Sequence, residues 1–134
     1  MEPLLIEATT DSPAVNFDST TNVLSISGES RPENPAKFFA PLIDWFINYE
    51  KLLYWRKNEA PSEIATIVLR FNLGYFNSTS AKYIMDILLF IKKMIDNGYK
   101  INIEWHYNQQ TDDMLDAGKE FSSFIDVDFI YVEY

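Results

Sequence analysis

A chain of 134 residues suits one hydrophobic core and is expected to form a single domain over 1–134; 47% hydrophobic and 23% charged residues are globular proportions, not those of a disordered chain. The absence of cysteine excludes disulfides, thiolate metal sites and thiol nucleophiles. Eleven Lys and Arg against 20 Asp and Glu leave a net charge of -9, which repels phosphate backbones and anionic lipid heads, so no nucleic-acid partner is expected.

The opening MEPLLIEATTDSP has neither a basic flank nor a sustained apolar run, so no secretory signal is read there and a reducing cytoplasm is the expected location. Leu4 to Ala8 is an optional first strand. Ala14-Val15-Asn16-Phe17 and Val23-Leu24-Ser25-Ile26 alternate at period two around the turn material Asp18 to Asn22, which predicts a hairpin. Asn34-Pro35 then opens a helix with Phe38, Leu42, Trp45, Phe46, Tyr49, Leu52 and Leu53 at helical spacing, ending before the polar stretch Arg56 to Ser62.

Ile64 to Phe71 reads as a buried strand. The next helix, Ser80 to Asp96, sets Ile84, Leu88, Ile91 and Ile95 on one face and closes at Asn97-Gly98. Asp86, Lys92 and Lys93 interrupt it, so it is amphipathic and does not insert in a membrane. Ile101, Ile103 and Trp105 alternate with Asn102, Glu104 and His106 as a strand, Thr111 to Ser123 is a shorter helix, and Phe129 to Val132 closes the chain as a strand. The order β-β-α-β-α-β-α-β predicts an α/β layer fold, with helices packed on a mostly parallel sheet that has one antiparallel edge.

Loops that follow parallel strands emerge on one edge of such a sheet, where sites are usually built. Three qualify: Gly28 to Pro35, Tyr75 to Ser80, and His106 to Gln110. Together they predict a partner-binding surface of Glu29, Arg31, Glu33, Asn34, Tyr75, Asn77, Lys82, His106 and Tyr107. The plainer role for Glu29, Arg31, Glu33 and Asn34 is to cap the first helix, and the two roles are compatible.

In the middle loop, GYFNSTSAK places an amide and three hydroxyls at a helix start, where one capping oxygen suffices. The surplus hydroxyls of Ser78, Thr79 and Ser80 sit at the positive end of a helix dipole, a setting that favours a phosphoryl group. Asn77-Ser78-Thr79 also matches the glycosylation sequon, which requires a secreted chain.

The remaining constellations are weaker. His106, the only histidine, has no evident proton-transfer partner, and an interface role suits it better than catalysis. Asp112, Asp116 and Glu120 share one helix face, which reads as a solvated acidic surface able to steer a basic partner; a metal cage needs more oxygens. Of 3 Trp, 8 Tyr and 10 Phe most should be core, although Tyr54-Trp55-Arg56-Lys57 has interface composition. The four glycines form no phosphate cradle. Neither metal nor cofactor is predicted.

Four motifs in order, GESRPENP at 28–35, LGYFNSTSAK at 73–82, Trp105-His106-Tyr107 and DMLDAGKEF at 113–121, resemble the SiaC family of bacterial regulatory phosphoproteins, from about Ser12 to the C-terminus. The resemblance implies a STAS-like fold and a non-enzymatic switch. It further implies phosphorylation of the first hydroxyl residue after Tyr-Phe-Asn, here Ser78, by a cognate Ser/Thr protein kinase, and its removal by a PP2C-like phosphatase. Thr79 and Ser80 stand as alternative acceptors. In the family's best-known member the unphosphorylated form activates a diguanylate cyclase, and so controls cyclic di-GMP and cell aggregation. The competing readings are a small carboxylate- and metal-dependent enzyme using His106, and a ligand-binding STAS-like module.

Overall fold

The computed structural model describes residues 1–110 and 112–134, without the side chains of Glu63 and Asp112. Strands β1 (Leu4–Ile6), β2 (Ala14–Asp18) and β3 (Val23–Ser30) lead into helix α1 (Pro35–Glu59) and a 3-10 turn at Pro61–Glu63. Then follow β4 (Ile67–Phe76), α2 (Ser78–Asp96), β5 (Ile101–Tyr107), α3 (Asp112–Ile125) and β6 (Ile130–Glu133). The six strands lie side by side in chain order, antiparallel from β1 to β3 and parallel from β3 to β6. The expected α/β order is therefore present, together with the optional first strand.

Sequential parallel strands joined by right-handed crossovers put every helix on the same side of a sheet. The packing agrees. Val15, Phe17, Leu24, Ile26, Leu69, Phe71, Ile103 and Trp105 point to one side and form a single core with Phe46 and Tyr49 of α1, Leu88 of α2 and Phe121 of α3. Phe17 lies 5.2 Å from Trp45 and 4.9 Å from Phe46, while Trp105 lies 5.6 Å from Phe121. The opposite sheet face carries no helix. Among the described residues, no helix is long and apolar enough to cross a membrane.

Several boundaries move from their sequence-based positions. Helix α1 continues through Arg56 and Lys57 to Glu59, because basic side chains suit a helix C-terminus and Pro61 lies beyond it. Strand β4 begins at Ile67, leaving Ile64 exposed, and runs on to Phe76. Its extension is possible because β3 also runs on to Ser30, across a bulge at Gly28 and Glu29. Gly28 has φ +107°, a conformation that disfavours side chains. Helix α2 starts at Ser78, two residues early, and α3 spans Asp112–Ile125, so the expected start at Thr111 lies outside the described residues.

Candidate functional site

The head of α2 is fixed by strand pairing. Phe76 closes the β3–β4 ladder opposite Ser30, and the next residue, Asn77, donates its N–H to Ser30 O at 3.0 Å. Asn77 then leaves the strand in an extended conformation (φ -87°, ψ 175°), and its side-chain oxygen accepts the Ser80 N–H at 2.9 Å. Ala81 N–H is satisfied by Asn77 O at 2.9 Å. The amides of Ser78 and Thr79 precede both bonds, and no carbonyl of their own helix can reach them.

The three hydroxyls that follow Asn77 consequently have different fates. Ser80 points inward and is 0% exposed; its Oγ donates to Ser30 O at 3.0 Å and accepts from Ser30 Oγ at 2.8 Å. It ties the helix to β3, so as an alternative acceptor it is sealed from any modifying enzyme. Ser78 and Thr79 are exposed, and their hydroxyls make no hydrogen bond among the described residues. One residue caps, one staples, and two are presented at the positive end of the helix.

Arg31 and Lys82, the two cations of the predicted partner-binding surface, each have partners of their own. Arg31 donates to Glu29 at 2.7 Å and lies 3.4 Å from Asp11, while its guanidinium sits 5.4 Å from the centroid of the half-exposed Tyr75 ring. Glu29, Arg31, Tyr75 and Asn77 thus do share one edge with Ser78, with Arg31 held by carboxylates. Lys82 places its Nζ 5.7 Å from the ring centroid of Tyr83, which stacks on Phe39 of α1. Asn34 caps α1 through Lys37 N–H at 3.2 Å, and Glu33 is exposed beside it.

The His106 side chain is placed elsewhere. His106 shares the side-chain parity of Asn102 and Glu104, so it lies on the helix-free face of the sheet, with Nε2 3.2 Å from Glu104 Oε1. The same oxygen accepts from Arg70 Nε at 2.8 Å. Tyr107 meets the C-terminal strand through its backbone carbonyl, which accepts Tyr134 N–H at 3.0 Å. The Arg70 hydrogen bond, against the opposing effect of desolvation and with a smaller contribution from His106, holds the Glu104 carboxyl below its ordinary range. A depressed acid adds stability that is present above its unfolded value near 4.5 and lost as pH falls through the lower folded value. Glu104→Gln should therefore cost about 1 kcal/mol or less near neutrality. In urea melts at a series of pH values, the difference from wild type should shrink below about pH 4.5.

Asp116 and Glu120 are exposed on α3, and Asp112 of the same acidic face lies outside the described side chains. Among the described residues no group of three or more His, Asp or Glu side chains is placed to hold a metal. Two structural residues escaped the sequence reading. Ser30 became visible only through its pairing with Ser80, 50 residues away. Gly118 lies under Trp105, whose Nε1 donates to Met114 O at 2.8 Å; a glycine inside a helical pattern is the signal that marks such a contact.

Comparison with known proteins gives the family and the fold. The family described as SiaC family regulatory phosphoprotein matches residues 6–134. A curated, uncharacterized protein of Pseudomonas aeruginosa strain UCBPP-PA14 is 31% identical over 121 residues, which is 90% of this chain and 88% of that protein. The solved structure of SiaC of Pseudomonas aeruginosa superposes over 100% of both chains with a TM-score of 0.79 at 27% identity. The SiaC chain of a crystal structure of diguanylate cyclase SiaD in complex with its activator SiaC, from the same organism, gives 0.79 at 28% identity over 97% of each chain. This chain therefore belongs to the SiaC family of regulatory phosphoproteins, and is a regulator rather than an enzyme.

Proposed function

We propose that this protein is a phosphorylation-controlled binding module whose acceptor is Ser78 and whose unphosphorylated form binds and activates a diguanylate cyclase. The observation that carries the reading is the divergence of the three hydroxyls: Ser78 is exposed at the first position of α2, while Ser80 is buried against Ser30. A kinase can reach the first and not the second. The related SiaC is named as the activator of diguanylate cyclase SiaD, which supports a cyclase as the effector.

The chemistry of the switch is local. A kinase transfers the γ-phosphoryl group of ATP to the Ser78 oxygen, whose proton passes to solvent as ADP leaves, and a PP2C-like phosphatase hydrolyses the ester with water, returning the hydroxyl and releasing inorganic phosphate. The modification adds about -1.5 to -2 charges and three acceptor oxygens. Within the free protein the unbonded amides at the head of α2 stabilise that charge, so the fold persists. In a complex that covers Ser78, the same charge must be desolvated, and Arg31 is already shared by Glu29 and Asp11. The kinase and the cyclase draw on cytoplasmic nucleoside triphosphates, so the cytoplasm is the proposed compartment.

Incubation with the cognate kinase and ATP, followed by peptide mass spectrometry, tests the assignment. Phosphate is expected on Ser78, with none incorporated by Ser78→Ala. Full incorporation into Ser78→Ala, with the phosphate on Thr79 or outside the turn, would refute it.

A further inference from the structure

The end of the molecule remote from Ser78 concentrates positive charge. Six of the 11 Lys and Arg, namely Lys51, Arg56, Lys57, Lys92, Lys93 and Lys100, lie on the last turns of α1 and α2 and just before β5. Between the two helices opens a cavity of about 550 Å3 whose lining includes Glu50, Lys51, Tyr54, Lys57, Lys93 and Tyr99, a size usual for small-molecule sites. Lys51, Tyr54 and Lys57 recur at helical spacing on one face of α1. Gly98, at φ +98°, turns the chain after α2, and the Tyr99 N–H bonds to Met94 O at 3.2 Å. Tyr99 is thereby brought to Lys57, whose Nζ lies 5.5 Å from its ring centroid.

We propose that this cavity binds a nucleotide carrying two or more phosphates, its base on the Tyr54 ring and its phosphates among Lys51, Lys57 and Lys93. Among the described residues, none of these three ammonium groups lies within ion-pairing distance of a carboxylate. Their neighbours are engaged: Arg56 Nη1 donates to Ser19 O at 3.1 Å, and Lys92 lies 3.2 Å from Asp96. A helix dipole accounts for Lys57 and Lys93, which sit in the last turns of their helices, but not for Lys51, two turns before the end of α1. Three cations against the one carboxylate of Glu50 leave the lining positive in a chain of net charge -9. Unpaired ammonium groups around one cavity suit a multiply charged anion.

The tyrosines supply the reason for a planar ring on that anion. Tyr99 is buried and forms a wall; burial above all, then the nearby Glu50 carboxylate and Tyr54, push its hydroxyl above the ordinary range. Tyr54 is 63% exposed, so its ring is open to a nucleobase, which stacks on an aromatic face whatever its sequence identity. A ligand held by both helices binds the folded chain alone and should raise its unfolding midpoint. Ser78 heads α2, about 22 Å along the helix axis from Lys93, so the site is separate from the phosphoacceptor and stands whether or not Ser78 is modified.

The test is calorimetry on the purified full chain with ADP and GDP as probes, and with pyrophosphate and adenosine as their separate parts. At least one nucleotide should bind about 10-fold or more tightly than either part, and less tightly as salt rises. The pair Lys57→Gln, Lys93→Gln should weaken that binding at least about 10-fold, and Tyr54→Ala about 5-fold or more. The pair Lys92→Gln, Lys100→Gln removes the same charge outside the lining and should bind as wild type does. These positions lie at the surface, so unfolding midpoints without ligand should stay near wild type. Failure of both nucleotides to bind at about 1 mM, or pyrophosphate binding as tightly as they do, would overturn the proposal. So would wild-type affinity in the Lys57, Lys93 pair or in Tyr54→Ala, and so would equal losses in the two lysine pairs, which would reveal diffuse attraction to a basic end.

Discussion

Ser80→Asp should remove a large part of the protein's stability, whereas Ser78→Asp, two residues away, should leave it unchanged or slightly higher. Ser80 has no exposed surface, and its hydroxyl both donates to and accepts from Ser30. A carboxylate there would face the Ser30 carbonyl with no cation to neutralise it. An uncompensated buried charge costs about 3–5 kcal/mol, against about 5–15 kcal/mol holding a domain of this size together. At Ser78 the same substitution adds an exposed negative charge to the first turn of a helix, which gains about 0.3–1 kcal/mol. Urea denaturation of both variants checks the contrast. Similar midpoints would mean that the two hydroxyls do not differ in burial.

The second large effect is expected at Gly118. A β-carbon there would lie 2.5 Å from Trp105 Cδ1, 2.6 Å from Nε1 and 2.8 Å from Cγ. The indole has little room to move: it is fully buried, bonded to Met114 O, and packed near Phe71, Phe76, Phe121 and Phe129. Replacing a helical glycine by alanine normally gains about 1 kcal/mol. Overpacking costs about 1–3 kcal/mol and here opposes that gain, so Gly118→Ala should be mildly destabilising and Gly118→Val should lose about 3 kcal/mol. Trp105→Phe, which removes part of the ring in the way, should recover part of the loss in the double variant. Strictly additive changes would show that the two residues are not in contact.

The parts of the fold legible beforehand are those with local signals. Ile67, Leu69 and Phe71 alternate cleanly, and the α2 stripe of Ile84, Leu88 and Ile91 is buried as its spacing requires. Non-local pairing was not legible. Asn72 to Phe76 resemble a loop because Gly74 and Asn72 interrupt the apolar run, yet β3 holds them in the sheet across the bulge at Gly28. In NSTS each residue can cap a helix; the amide of Asn77 took the role, which moved the helix start to Ser78.

The predicted surface was only partly one surface. Glu29, Arg31, Tyr75 and Asn77 meet at the edge that holds Ser78, since their strands are neighbours. His106 was grouped with them by loop position, although strand parity sends its side chain to the helix-free face beside Glu104. That parity was readable from Asn102, Glu104 and His106 themselves. The engagement of Arg31 with Asp11 was not, because it depends on the β1–β2 connection meeting the chain just past the end of β3.

The most direct test is the affinity of the purified cyclase for the unmodified protein and for protein phosphorylated stoichiometrically at Ser78, each measured by calorimetry. Burying the added charge at an interface costs several kcal/mol, so the phosphorylated form should bind at least about 100-fold more weakly. Equal or tighter binding of the phosphorylated form would contradict the account.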